Sequence, residues 1–175
     1  MDRFQILEGL TMDPILWTPW RMPYLRGEDR RHYDGCILCA KPRVEKDMEE
    51  YVLARSTHVY VALNMYPYNN GHLLIVPYEH AGSIETLPPE VQADLMAMLT
   101  QSLGALRRAY NPQAFNIGAN IGASAGAGIP EHFHLHVVPR WEADSGYMTV
   151  ISGTRIIPDV LDATFQRLRE VWTDE

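Results

Sequence analysis

The chain has 175 residues, a net charge of −7, 46% hydrophobic and 21% charged residues, which is the composition of one ordinary globular domain able to bury a core without disulfide staples. No apolar run approaches the roughly eighteen residues of a membrane span, and Met1-Asp2-Arg3-Phe4-Gln5 leads into no signal-peptide core, so a cytoplasmic protein with no membrane partner is expected. The acidic balance, with Lys41 and Lys46 as the only lysines, excludes a general nucleic-acid binder, which needs a basic surface.

Residues 1–35 read as an irregular arm. Leu16-Trp17-Thr18-Pro19-Trp20-Arg21-Met22-Pro23-Tyr24-Leu25 is too rich in proline for a long helix or a central strand, and its aromatics call for burial against the domain or a partner subunit. Residues 36–175 form the single domain. It opens with Cys36 and Cys39, a C-x-x-C spacing that in a cytoplasmic chain reads as a metal half-site or a redox pair; no thioredoxin-like unit surrounds it. Val52–Arg55 and His58–Leu63 are predicted strands joined at Ser56-Thr57. A turn-rich loop, Asn64 to Gly71, leads to a buried strand over His72–Pro77, followed by a linker with His80. A helix is predicted from a cap at Thr86 or Leu87 to Asn111-Pro112, with Val91, Leu95, Met98, Leu99, Ser102, Leu103 and Leu106 on the core face. Ala114–Ile121 reads as a strand, and Gly122 to Gly128 as a small-residue loop whose bare N–H groups can wrap phosphate oxygens. It lacks the G-K-[ST] of a Walker loop.

The loop delivers the chain to Glu131-His132-Phe133-His134-Leu135-His136-Val137-Val138-Pro139-Arg140-Trp141. Successive strand side chains point to opposite faces, so His132, His134 and His136 share one face while Phe133, Leu135 and Val137 take the core. Pro139 is expected to close the ladder. A last helix is predicted from about Pro158 to Trp172, with Val160, Leu161, Phe165, Leu168 and Trp172 on one face. The order β-β-β-α-β-β-α with short connections indicates an α+β fold: an antiparallel sheet, one long helix between strands and a C-terminal helix.

The three alternating histidines with hydrophobic residues between them, then Pro139-Arg140, resemble the signature of the histidine triad (HIT) family of nucleotide hydrolases and transferases, and the resemblance runs from about Cys36 to Met148. It implies the following roles. His134 is the nucleophile that attacks the α-phosphate of a nucleotide and forms a nucleotidyl-histidine intermediate. His136 bonds the phosphate or leaving oxygen, the backbone of His132 orients His134, and His72 matches a further active-site histidine. Asn64 matches a residue that holds ribose hydroxyls and Asn120 one turned towards the phosphates; Ser124, Gly126 and Gly128 line the phosphate loop. Better-known branches carry Ser, Thr or Gln just before the triad, whereas this chain has Gly128, Ile129 and Pro130, with Ser124 the nearest hydroxyl. Cys36, Cys39, His80 and His132 occupy the ligand positions of zinc-containing members, a closed set suited to structural zinc.

The arm resembles the N-terminal extension of a microbial branch that includes diadenosine polyphosphate phosphorylases and hydrolases. The arm and Pro139-Arg140-Trp141 favour cleavage of a dinucleoside polyphosphate such as diadenosine tetraphosphate or triphosphate. The alternatives are a nucleoside phosphoramidase acting on adenosine monophosphate-lysine type substrates and a non-catalytic nucleotide-binding protein. A homodimer is expected.

Overall fold

The computed structural model describes residues 35–44, 46–142, 144, 157 and 159–173. Five strands, β1 (Val52–Arg55), β2 (Val59–Leu63), β3 (Leu73–Pro77), β4 (Ala114–Gly118) and β5 (Leu135–Arg140), form one antiparallel sheet in the order β1-β2-β3-β5-β4. Four helices accompany them among the described residues: α1 (Ile37–Ala40), α2 (Asp47–Glu50), α3 (Pro89–Tyr110) and α4 (Leu161–Val171). This is the α+β arrangement expected from the sequence, and no helix among these residues is long and apolar enough to cross a membrane.

The long helix α3 lays Val91, Leu95, Met98, Leu99, Ser102, Ala105 and Leu106 against one sheet face. With Phe165 and Leu168 of α4 they bury Leu53, Val59, Val61, Leu63, Leu73, Ile75, Phe133 and Val137, the main core. All five residues of β2 are buried, so its other face must also be covered. There Leu38, Val52, Tyr60, Ala62 and Val76 form a second cluster, joined by Cys36, Ile37, Tyr78 and Ile129. Tyr60 fixes the cover by donating its hydroxyl to the Leu38 carbonyl at 2.7 Å. The N-terminal cysteine segment is therefore packed on the sheet face opposite α3.

Several boundaries differ from the sequence reading. The α3 cap is Pro88, which makes no side-chain hydrogen bond, rather than Thr86 or Leu87; two adjacent prolines left the start ambiguous. Ala105 is on the buried face and Leu103 is half-buried. The fourth strand stops at Gly118, leaving Asn120 in the following loop, and α4 begins at Leu161 with Val160 67% exposed in front of it. Pro139 does not close the ladder. It pairs in register with Phe115 of β4, and it is tolerated because the β3 ladder on its other side has already ended at Val137. The arm at 1–35, but for Gly35, lies outside the described residues.

A tight turn places His72. Gly71 has φ +71°, and a Cβ there would stand 2.9 Å from Leu106 Cδ2. Only glycine meets both the backbone and the packing demand, so the chain can turn over α3 and enter β3 directly after His72.

Candidate active site and metal cluster

The histidine stretch is only partly a strand. Pairing of β5 with β3 begins at Leu135, so His132 and His134 lie outside the ladder. The chain peels away because Phe133 N–H donates to the Ala81 carbonyl at 2.6 Å and the His132 ring turns to Pro77. The alternation nevertheless holds: Phe133 and Val137 are in the main core, while the His134 and His136 rings lie 4.9 Å apart, centroid to centroid, away from it.

Hydrogen bonds fix how each imidazole carries its proton. His134 Nδ1–H donates to the His132 carbonyl at 2.9 Å, which leaves its Nε2 as the free lone pair. Tyr68 N–H donates to His72 Nδ1 at 3.0 Å, and the Asn64 amide nitrogen lies 3.3 Å from the same atom. The His72 proton is therefore on Nε2, which donates to His136 Nδ1 at 2.9 Å. That leaves His136 with its proton on Nε2, a buried donor with no partner among the described residues. A buried unpaired donor is costly, and here it lies beside the free Nε2 of His134. The two neighbouring rings thus offer one free lone pair and one unpartnered N–H donor.

Burial keeps the His72 and His136 rings neutral. His72 is pushed down to about 3, by burial first and then by His136 and His134. His136 is pushed down to about 4 by burial and His134. Relative to an ordinary histidine near 6.5, the unfolded chain takes up more protons than the folded one as pH falls below about 6.5, so stability is full above that pH and declines towards pH 4. The melting temperature is expected to fall across this window, and to fall less steeply in His136→Asn. Calorimetry showing identical slopes for the two proteins would contradict the assignment.

The other expected residues divide. Asn64 accepts from Tyr66 N–H at 3.0 Å through its side-chain oxygen, and its nitrogen faces His72, so it is tied to the histidine relay. Asn120 is half-buried in the loop after β4; Ser124 stands exposed in a short turn over Ala123–Ala125; Gly126 has φ +84° and Gly128 is exposed. No hydrogen bond among the described residues joins these four to the histidines. Tyr68 was not anticipated. Its ring stacks on His136, 14° from parallel at 5.7 Å, and sits 4.6 Å from His72. Its aromatic character in a turn-rich loop was the one available signal; the backbone donor left none.

Two residues before His134 in the chain, His132 converges with Cys36, Cys39 and His80. One ligand atom from each lies within 4.8 Å of all the others, a group that could hold a metal ion. His132 Nδ1 is 3.3 Å from Cys36 Sγ, 3.4 Å from Cys39 Sγ and 3.3 Å from His80 Nδ1, and Cys39 Sγ is 3.3 Å from His80 Nδ1. His132 Nε2–H donates to the Pro77 carbonyl at 2.9 Å, which fixes the tautomer and turns Nδ1 into the cluster. His132 thus touches the cluster with its ring and His134 with its carbonyl.

The HIT domain model matches residues 45–143, more than half the chain. The chain belongs to the HIT family. This HIT protein is 40% identical over 162 residues to a Mycobacterium tuberculosis protein named AP-4-A phosphorylase, covering 90% of this chain and 83% of the relative. Over 82 residues it is 30% identical to the asymmetrical bis(5'-nucleosyl)-tetraphosphatase of Schizosaccharomyces pombe, covering 47% of this chain and 44% of that one. Among solved structures, a Zn-bound histidine triad family protein from Mycobacterium smegmatis superposes with a TM-score of 0.63 at 26% identity, over 79% of this chain and 93% of that one.

Proposed function

We propose that this HIT protein is an enzyme that cleaves dinucleoside polyphosphates at the α-phosphate through a nucleotidyl-His134 intermediate. The observation that carries the reading is the pairing of a free His134 Nε2 with the unpartnered Nε2–H of His136. The tetraphosphate-cleaving names borne by the Mycobacterium tuberculosis and Schizosaccharomyces pombe relatives support the substrate class.

In the first step His134 Nε2 forms a bond to the α-phosphorus as the bond to the bridging oxygen breaks, and the leaving nucleotide carries off the electron pair. The positive ring that results keeps its Nδ1–H on the His132 carbonyl, which stabilises it. His136 Nε2–H bonds the phosphoryl or leaving oxygen. In the second step an oxygen of water or of phosphate attacks phosphorus, the P–N bond breaks, and His134 returns with its lone pair. The resemblance assigns Asn64, whose amide is held by Tyr66 N–H and His72 here, to the ribose hydroxyls, and Asn120, Ser124, Gly126 and Gly128 to the loop that meets the phosphates. Resolving products from diadenosine tetraphosphate with and without added phosphate, alongside an adenosine monophosphate–lysine phosphoramidate, tests the reading. Cleavage to a nucleoside monophosphate in water, or to a nucleoside diphosphate with phosphate, is expected; turnover of the phosphoramidate alone would overturn it.

The four-residue cluster fits structural zinc. Tetrahedral zinc with bonds of about 2.0–2.1 Å to nitrogen and 2.3 Å to sulfur separates two nitrogens by about 3.3 Å and nitrogen from sulfur by about 3.6 Å, close to the 3.3–3.4 Å measured here. Burial and the neighbouring Cys36 raise the Cys39 thiol, a penalty that a bound cation relieves. Four protein ligands leave no open position, so the ion supplies rigidity. Both cysteines are free thiols, as a cytoplasmic setting requires.

We infer a homodimer, a reading that the exposed sheet edge among the described residues supports. Strand β4 is exposed along almost its whole length, with Ile117 at 45%, and Ile121 beyond it is equally exposed. An unprotected edge of this kind pairs with a second copy about a two-fold axis. A monomer in light scattering at micromolar concentration would contradict it.

A further inference from the structure

The reaction above needs something to hold the departing phosphates, and the positions just before the triad, Gly128, Ile129, Pro130 and Glu131, offer no hydroxyl or amide side chain and no cation. We propose that Arg140, clasped by Asp144 and Asn116 beside the triad, is the subsite for the leaving polyphosphate. This rests on the dinucleoside polyphosphate reading.

The sheet register puts Arg140 on the correct face. It lies four residues beyond His136 on β5, and even-numbered steps along a strand share a face. Across the ladder Gly118 faces His136, Asn116 faces Val138 and Ala114 faces Arg140. The guanidinium does not stand above its own row. Its Nη1–H donates to Asn116 Oδ1 at 2.7 Å, so it reaches back towards the Val138 row, one pleat repeat of about 7 Å from His136. Across the ladder from His136, Gly118 contributes no side chain, and a Cβ there would meet nothing within 4 Å, whereas Val138, on the same face between His136 and Arg140, is buried. A polyphosphate leaving His136 would therefore pass over Gly118 on β4, rather than over Val138, to reach the guanidinium held on Asn116. The other residues of β5 carry no cation.

The group is preorganised. Nε–H and Nη2–H donate to the two oxygens of Asp144, whose carboxylate also accepts from Asn69 Nδ2 and Trp141 N–H. Asn69 is buried and further anchored on the Pro139 carbonyl at 3.1 Å. With its negative charge shared among several donors, Asp144 orients the guanidinium more than it consumes it. Among the described residues three of the five guanidinium N–H groups are used, which leaves two for phosphate oxygens. A fork held in place binds an anion without first losing side-chain freedom.

The test compares diadenosine tetraphosphate with an adenylate ester of an uncharged alcohol or phenol, in wild type, Arg140→Ala and Arg140→Lys. Arg140→Ala is expected to lower kcat/KM for the tetraphosphate by about tenfold or more relative to its effect on the ester, chiefly through KM, as loss of charge-assisted hydrogen bonds implies. Arg140→Lys, which keeps the charge and loses the fork, should fall between. Equal losses on both substrates in Arg140→Ala and Arg140→Lys alike would mean that the clasp only braces the strand, and no loss on either would leave Arg140 outside the site; both results overturn the proposal. Wild-type protein that cleaves the ester but not the tetraphosphate would instead contradict the substrate class itself.

Discussion

His134→Ala is expected to lose turnover by a factor on the order of 10⁴ or more, because removing a nucleophile closes the covalent route altogether. Nucleotide binding should survive largely intact. The ring's one hydrogen bond among the described residues runs to the His132 carbonyl, and the side chain, though buried, belongs to neither hydrophobic cluster, so its removal unpairs one backbone acceptor and leaves the core packing in place. His134→Asn keeps a group that can donate to that carbonyl without a nucleophilic nitrogen, so it should bind and fail to react in the same way. The measurement pairs steady-state rates with calorimetric binding of a non-hydrolysable dinucleotide. More than a few per cent of wild-type activity in His134→Ala would show that the covalent step has been placed on the wrong atom.

The second large effect is metal removal. The cluster joins the segment at Cys36 and Cys39 to His80 after β3 and to His132 before β5, so one ion would tie three distant parts of the chain together. Binding to a folded site adds directly to folding free energy, and at roughly 2–4 °C per kcal/mol for a chain of this size, loss of the ion should lower the melting temperature by about 10 °C or more. Cys39→Ser and His80→Ala should behave like chelator treatment. His58→Ala should not, since the His58 backbone rather than its ring is held, by Asp94 at 2.8 Å. Activity should fall with stability, because the His132 ring that would ligate the ion belongs to the residue whose carbonyl fixes the nucleophile. The check is elemental analysis and melting of protein purified without added metal or a histidine tag. About one zinc per chain is expected; none, with melting unaltered by chelator, would sink the site.

The parts of this molecule that were legible in the sequence are those written in a local period. The 3.6-residue recurrence of Val91, Leu95, Met98, Ser102 and Leu106 gave α3, and the two-residue alternation gave the face shared by the histidines. The C-x-x-C spacing marked half a metal site but could not choose its partners; His80 and His132 entered only by resemblance. Less legible were contacts made by backbone and by residues far apart in sequence. The Tyr68 N–H that sets the tautomer of His72 and, through it, of His136 depends on loop geometry. Asn69 read as a turn former, and its bond to Asp144 spans seventy-five residues. The departure of His132 and His134 from the ladder came from competition by the Ala81 and Pro77 carbonyls, which no side-chain pattern reveals.

The central claim is that one nitrogen, His134 Nε2, takes the nucleotide before water or phosphate does. The stereochemical course at the scissile phosphorus tests it most directly. A substrate made chiral at the α-phosphorus with sulfur and an oxygen isotope is turned over, and the product configuration is read by phosphorus NMR. Two successive in-line displacements invert twice, so transfer through His134 predicts net retention for either acceptor. Net inversion would mean a single direct displacement, with His134 acting as something other than the nucleophile.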